Sequence, residues 1–339
     1  MSQETNKLIK RESNFELLRI ISMLLIVFHH YSLHGGLVQL KTPNLLVAHI
    51  LASGGKIGVD LFIIISAYFM ANNKCSFKRL LKLILEVYFY SILMMFVTYF
   101  FTKKMTYNMI KDSLLIPIFN QYWFVKIYIF IYVFSQILNL IISKMNVIIH
   151  KLLLIVSFVF LYVIQPIYLK QDPNQYILFI FLYCLGAYIK IYNVNFKYKF
   201  DKIFLIIWMY ILTIYIGYNG LMGYIYADSS FSLLIISALL FILLKDTKIE
   251  YNKIINKIAS LCFPVYLIHD NEYFRSVFWK NIIHCEKFYY ANSFVLLGNV
   301  AFSVILLYFC AYVIELFRKY IENLFFENKK EEEKIKICT

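Results

Sequence analysis

The first apolar segment of the chain, Phe15 to Tyr31, carries Glu16, Arg19, His29 and His30 through 17 residues that otherwise read as a membrane span. Each acid or base at mid-bilayer costs about 2.5–3.5 kcal/mol on a translocon scale, whereas each Leu or Ile returns only about 0.3–0.6 kcal/mol. A plain anchor has no use for such groups, so the segment must turn them toward protein or a polar cavity. At about 100° per residue, His30 lies about 20° round the helix from Arg19, with Glu16 about 60° away on the same side and His29 about 80° off that line. One face therefore presents an acid–base pair near its start and an imidazole about 16 Å higher. With Arg19 at the cytoplasmic boundary of a hydrocarbon core about 30 Å thick, His30 falls near mid-membrane.

The rest of the chain repeats the apolar signal. It is 61% hydrophobic with a mean hydropathy of +0.67, against about 45–50% apolar residues in a soluble domain. The fold class expected is all-α: a polytopic membrane helical bundle of about ten transmembrane helices. The apolar stretches run near Phe15–Leu33, Ile50–Ala71, Leu80–Phe101, Gln121–Ile142, Leu152–Leu169, Tyr176–Tyr192, Phe204–Gly220, Phe231–Leu244, Ile254–His269 and Ser293–Phe317. The second can begin near Leu45 if Gly54-Gly55 marks a break. Counted with the N-terminus inside, 23 of the 34 Lys and Arg residues fall on inner segments and 8 on outer ones. Basic loops stay cytoplasmic, so both termini are expected there.

That asymmetry accounts for the net charge of +14 without a nucleic-acid partner, since no basic stripe interleaved with stacking aromatics is present. The basic start and apolar run lack a small-residue cleavage site and read as a retained anchor. Six cysteines without C-x-x-C spacing suggest neither a zinc site nor a disulfide scaffold, and free thiols are expected. One membrane domain over residues 1–327 is followed by a charged segment, 328–339, too polar to pack and read as a mobile cytosolic tail.

Further polar groups interrupt the apolar pattern. Lys56 and Asp60 are four apart and meet on one helix face, either as a structural ion pair or as part of an intramembrane network. Lys74, Lys78, Arg79 and Lys82 follow the second span; such a run is a positive-inside signal by itself, and it also suits a phosphorylated cofactor approaching from the cytosol. Tyr122, Trp123 and Phe124 enter the fourth span as ordinary interface aromatics, and Asn120 and Gln121 beside them are compatible with a sugar or carrier site. His269 beside Asp270 either orients an imidazole or ends a helix at the water boundary. Glu86 and Glu315 read as structural, and His34, His49, His150 and His284 have no evident partner in the sequence. No Gly-rich phosphate loop, G-x-S-x-G elbow or H-E-x-x-H occurs, which argues against P-loop transporters, esterases and zinc proteases.

Taken in order, these features resemble the acyltransferase 3 family of integral membrane O-acyltransferases, in particular its bacterial branch acting on cell-surface polysaccharides. Glu16, Arg19 and His30 match the family's opening pattern, and Gly58, Asp60, Phe62, Ser66 and Tyr68 match its second-span pattern. Arg79 and Lys82 match the basic R-x-x-R in charge, Tyr122 to Phe124 its Y-W-F, and Tyr266 to His269 its Y-L-I-H. The chain departs from the family at Ala67, where Gly is usual, at Lys82, which replaces an Arg, at Gln136, where Pro is common, and at Tyr128, where an acid is often found.

The resemblance implies transfer of an acyl group, usually acetyl, from cytosolic acetyl-CoA to a sugar hydroxyl at the outer face of the bacterial plasma membrane. On that basis His30 is expected as general base or transient acyl carrier, Glu16 and Arg19 as the pair that fixes its helix and field, and Asp60 as support. Lys78, Arg79 and Lys82 are expected to hold the CoA phosphates, Tyr122, Trp123 and His269 to contact substrate, and no metal is expected. The partners implied are a polysaccharide or lipid-linked sugar acceptor and membrane lipid. The competing reading is a transporter or flippase for a lipid-linked saccharide, in which the same charges line a pathway and no acyl-CoA is consumed.

Overall fold

The computed structural model describes residues 12–338 apart from 40–41, 116, 196–197, 219–223 and 225–226, with side chains described for all of these except 119, 199 and 323–338. Among them no strand occurs. The helices are α1 (Ser13–His34), α2 (Leu45–Met70), α3 (Phe77–Thr102), α4 (Tyr107–Leu114), α5 (Pro117–Asn120), α6 (Trp123–Ile142), α7 (Val147–Val159, continued as π-helix over Phe160–Tyr168), α8 (Gln175–Ile191), α9 (Lys199–Tyr218), α10 (Phe231–Lys245), α11 (Lys253–Ala259), α12 (Cys262–His269) and α13 (Ser293–Cys338). Seven described helices are long and apolar enough to cross a membrane, and Gln175–Ile191 and Phe231–Lys245 are shorter apolar helices. The molecule is an all-helical membrane protein.

Polar residues punctuate the apolar runs. Asn146, Asn174 and Asn252 each accept hydrogen bonds from backbone amides of the first turn that follows, Thr106 does the same for α4, and these caps satisfy donors that a helix start leaves open. The short α4 and α5 occupy a stretch that carries no apolar periodicity long enough to read as a span.

The ninth apolar stretch, expected as one span over Ile254–His269, is two helices parted at Ser260 and Leu261. Pro264 explains the division, because its ring lacks an amide hydrogen and collides with the carbonyl four residues back, that of Ser260. The division lets α12 set its own direction and carry its C-terminal end, with His269 and Asp270, against α1.

The break anticipated at Gly54-Gly55 does not occur, and α2 is continuous over 26 residues. Its glycines serve close approach instead. A Cβ at Gly54 would lie 2.9 Å from the Leu25 carbonyl oxygen, one at Gly55 2.3 Å from His29 Cγ, and one at Gly58 2.5 Å from the Ser22 carbonyl oxygen. Small residues let two backbones approach where the bilayer provides no hydrophobic drive for helix association. On the opposite side of α2, Gly186 of α8 lies over Ala67, where a Cβ would be 2.6 Å from the alanine methyl. The alanine that departs from the family pattern is thus accommodated by a glycine across the interface.

α2 is the most enclosed span, with 78% of its apolar window buried, against 17% for the Val147–Tyr168 span that faces outward. Two buried clusters meet along it. One joins α2 to α8 and α10, the other joins α1 to α3, α12 and α13. α1 is tied at its start by Asn14, whose Nδ2 donates to the Leu244 carbonyl at 3.1 Å, and near its end by Tyr31, whose hydroxyl donates to Asn299 Oδ1 at 2.7 Å. α13 continues as helix to Cys338, through the described part of the segment read as a tail.

Candidate active site

A cavity of about 440 Å³ runs between α1, α2, α6 and α12, lined among others by Arg19, His29, His30, Lys56, Trp123, Asp228 and Asp270. A second, of about 290 Å³, is lined by Arg19, Ser66, Asn73, Lys74, Arg79, Tyr128 and Gln136. Arg19, Ser66, Leu83 and Tyr128 line both, so the two spaces meet at a common wall. Helix direction orders the residues along this path. Lys74 lies in the α2–α3 turn and Arg79 in the first turn of α3, whereas Gln175 opens α8 and Asp228 precedes α10 at the opposite end.

Arg19 and His30 are brought to the same space, as the helical spacing requires. His29 joins them although the spacing set it off that face, because Gly55 leaves room for its ring and its Nδ1 lies 2.6 Å from the Ala52 carbonyl oxygen. Glu16 is buried and bonds Arg19 at 2.6 Å; it steadies the guanidinium from behind and lines neither cavity.

His30 sits in a group of imidazoles. Its ring centroid is 4.7 Å from that of His34 and 5.0 Å from that of His269. The Asp270 carboxylate stands between two of them, with Oδ1 3.8 Å from His30 Nε2 and 3.5 Å from His34 Nε2. Asp270 therefore serves His30 and His34 and not the neighbouring His269, whose Nδ1 lies 2.6 Å from the Val265 carbonyl oxygen. His30, His34 and Asp270 also bring three potential metal-ligand atoms within 4.8 Å of one another. His30 Nδ1 is enclosed without a hydrogen-bond partner, whereas a metal-bound imidazole ordinarily has its second nitrogen oriented by one.

Tyr122 and His269 are fully enclosed and line neither cavity. Tyr122 belongs to a polar network: its hydroxyl donates to the Leu267 carbonyl at 2.9 Å and accepts from Asn271 Nδ2 at 2.9 Å, and Asn271 also donates to Gln121 at 2.7 Å. This network pins the end of α12 and so fixes where Asp270 points. Trp123, one residue on, does line the main cavity.

Asp60 is enclosed behind the wall, 3.1 Å from Lys56 Nζ, which reaches 2.7 Å to Asp228 Oδ1 on its other side. Lys56 and Asp228 line the cavity and Asp60 does not. Of the basic residues expected to meet a cofactor, Arg79 lines the second cavity in company with Lys74, whereas Lys78 and Lys82 are exposed and line neither. Lys82 instead lies 3.5 Å from Glu322.

Sequence reasoning passed over His34 and Asp228. Spacing alone pairs His34 with His30 one turn away, but nothing local connects Asp228 to Lys56. Glu315 is structural, as expected: Arg318 donates to it at 2.7 and 2.8 Å and the Tyr90 hydroxyl at 3.0 Å.

A family model described as an acyltransferase domain, acyltransferase 3, matches residues 12–316. The chain belongs to the acyltransferase 3 family. No curated protein and no solved structure compared with it gives a match. The matched residues take in α1 through the first half of α13, and with them both cavities. For this acyltransferase 3 member the family points to membrane acyltransferase activity.

Proposed function

We propose that the protein transfers an acyl group, acetyl in the simplest case, from cytosolic acyl-CoA to a hydroxyl of a cell-surface or lipid-linked saccharide at the bacterial plasma membrane. The observation that carries this reading is a pair of adjoining cavities with Arg19 in their shared wall, one lined by Lys74 and Arg79 and the other by His30 and Asp270. Both termini are placed in the cytosol by the distribution of basic residues, with residues 1–327 as the membrane domain and 328–339 as a cytosolic tail. The α2–α3 turn then faces the cytosol, and its cations suit the anionic phosphates of CoA.

In this reading His30 takes the proton of the acceptor hydroxyl as general base. The acceptor oxygen attacks the thioester carbonyl, the carbon–sulfur bond breaks, and the CoA thiolate leaves with the proton that His30 returns. The Asp270 carboxylate, 3.8 Å from Nε2, favours the imidazolium formed in between. Arg19, neutralised by Glu16 and standing where the cavities meet, orients the donor. A flippase reading shares the path but has no use for acyl-CoA.

The test is transfer of labelled acetyl-CoA into saccharide by membranes containing the protein. Removing a general base slows such a step by about 10²–10⁴-fold, so His30→Ala is expected to lose transfer by that factor while remaining folded. Wild-type rates from a folded His30→Ala protein would refute the assignment, and failure of the wild-type protein to consume any acyl-CoA would refute the function.

A further inference from the structure

The charges along the path are unequally distributed. At the end toward Lys74 and Arg79 the lining cations are those two, together with Arg19, which is paired with Glu16. At the other end Lys56 stands between two carboxylates, 3.1 Å from Asp60 and 2.7 Å from Asp228, and Asp270 adds a third beside His30. One ammonium against three carboxylates leaves that end negative while the imidazoles are neutral. Asp60 is sealed from the cavity, but the Asp228 side chain is 23% exposed and lines it. Gln175 Nε2 approaches Asp228 Oδ2 at 3.5 Å, so each carboxylate oxygen is oriented by one partner and retains a lone pair for another donor. Trp123 is 38% exposed and lines the same space, presenting an apolar ring surface of the kind on which pyranose C–H edges pack.

Resting on the acyl-transfer reading, we propose that this outer end is the acceptor subsite, in which Asp228 and Gln175 hydrogen-bond the hydroxyls of a sugar that bears no negative charge, against the wall formed by Trp123. Vicinal hydroxyls donate to the carboxylate in a charge-assisted pair, and Gln175 offers both a donor and an acceptor to a neighbouring oxygen. A uronate or phosphodiester at the same place meets Asp228 and Asp270 with like charge, and among the described residues lining this end the one ammonium, Lys56, is already shared. Specificity of this kind arises from repulsion of the wrong ligand as much as from contacts to the right one. The same polarity keeps the anionic donor at the opposite end of the path.

The experiment uses the full chain in lipid nanodiscs with labelled acetyl-CoA and two acceptors, methyl β-glucopyranoside and its uronic-acid counterpart, methyl β-glucuronide. The wild type is expected to favour the neutral glycoside in kcat/KM by at least about tenfold. Asp228→Asn is expected to raise the KM for the glucoside about tenfold, leave the KM for acetyl-CoA unchanged, and bring the glucuronide closer to parity. Gln175→Ala, which leaves the Lys56–Asp228 pair in place, is expected to raise the glucoside KM about threefold and serves if Asp228→Asn does not fold. Equal use of both glycosides by the wild type would overturn the proposal, as would an Asp228→Asn or Gln175→Ala protein with altered donor KM and unchanged acceptor KM. Acetyl-CoA hydrolysis without transfer to either glycoside would overturn the subsite and leave the acyl-transfer reading standing, whereas no consumption of acetyl-CoA under any condition would remove both.

Discussion

Replacing Lys56 with Met removes the ammonium that lies 3.1 Å from Asp60 and 2.7 Å from Asp228. At an effective dielectric of about 20 these separations correspond to about 5 and 6 kcal/mol of attraction, most of which desolvation of the three groups offsets. The variant loses the attraction but keeps the desolvation of Asp60, which has no exposed surface. Breaking a buried pair in this way costs about 3–5 kcal/mol. Asp60→Asn is different, because Lys56 retains Asp228, and the loss is that of one charged hydrogen bond, about 1.5–3 kcal/mol. In the double variant Asp228 remains, but its side chain reaches the cavity and can be hydrated there. The expected order is therefore Lys56→Met as the most costly, with the double variant no worse than it and well below the sum of the two singles. Equilibrium unfolding in mixed micelles, followed by far-ultraviolet circular dichroism, measures all three. An Asp60→Asn cost equal to or above that of Lys56→Met, or a double variant that costs the sum, would refute the three-group account.

The geometry makes other expectations. Arg79→Ala should raise the KM for acetyl-CoA about tenfold, whereas Lys82→Ala, whose side chain lies against Glu322, should change it by less than about twofold; steady-state kinetics separates them. Gly55→Val drives a side chain into the His29 ring, where a Cβ alone would lie 2.3 Å from Cγ, and should cost about 1–3 kcal/mol of stability by overpacking. By contrast Gly298→Ala in α13, with nothing within 4 Å of the new methyl, should stabilise by about 1 kcal/mol in the same unfolding assay. Tyr122→Phe removes the hydroxyl that bonds Leu267 and Asn271 and leaves a buried carbonyl and amide short of a partner. It should destabilise by about 1–3 kcal/mol and lower kcat while the KM for acetyl-CoA stays constant.

Much of the site was legible because helices translate spacing into direction. Glu16, Arg19 and His30 share a face of α1 at any tertiary arrangement that keeps the helix, and Lys56 meets Asp60 for the same reason. Ionisable residues in a segment this apolar also announce that some face of it is shielded from lipid. The path itself was not legible. Whether Arg79 or Lys78 meets it depends on how α3 is rotated against α2, and in a helix start rich in basic residues the sequence pattern is the same for both.

The chain alone thus determines that it is helical and membrane-embedded, where most spans lie, and which residues of α1 stand in line, since each of these follows from local hydropathy and a fixed helical repeat. Tertiary structure alone decided that Asp228, 172 residues from Lys56 in sequence, completes its ion network. It likewise decided that Asp270 turns to His30 and His34 and not to its neighbour, and that Tyr122 holds α12 from behind the wall. These outcomes depend on helix rotation, on the close approach that Gly54, Gly55 and Gly58 permit, and on the division before Pro264, all of which are set by packing between segments remote in sequence and leave no periodic trace within any one of them.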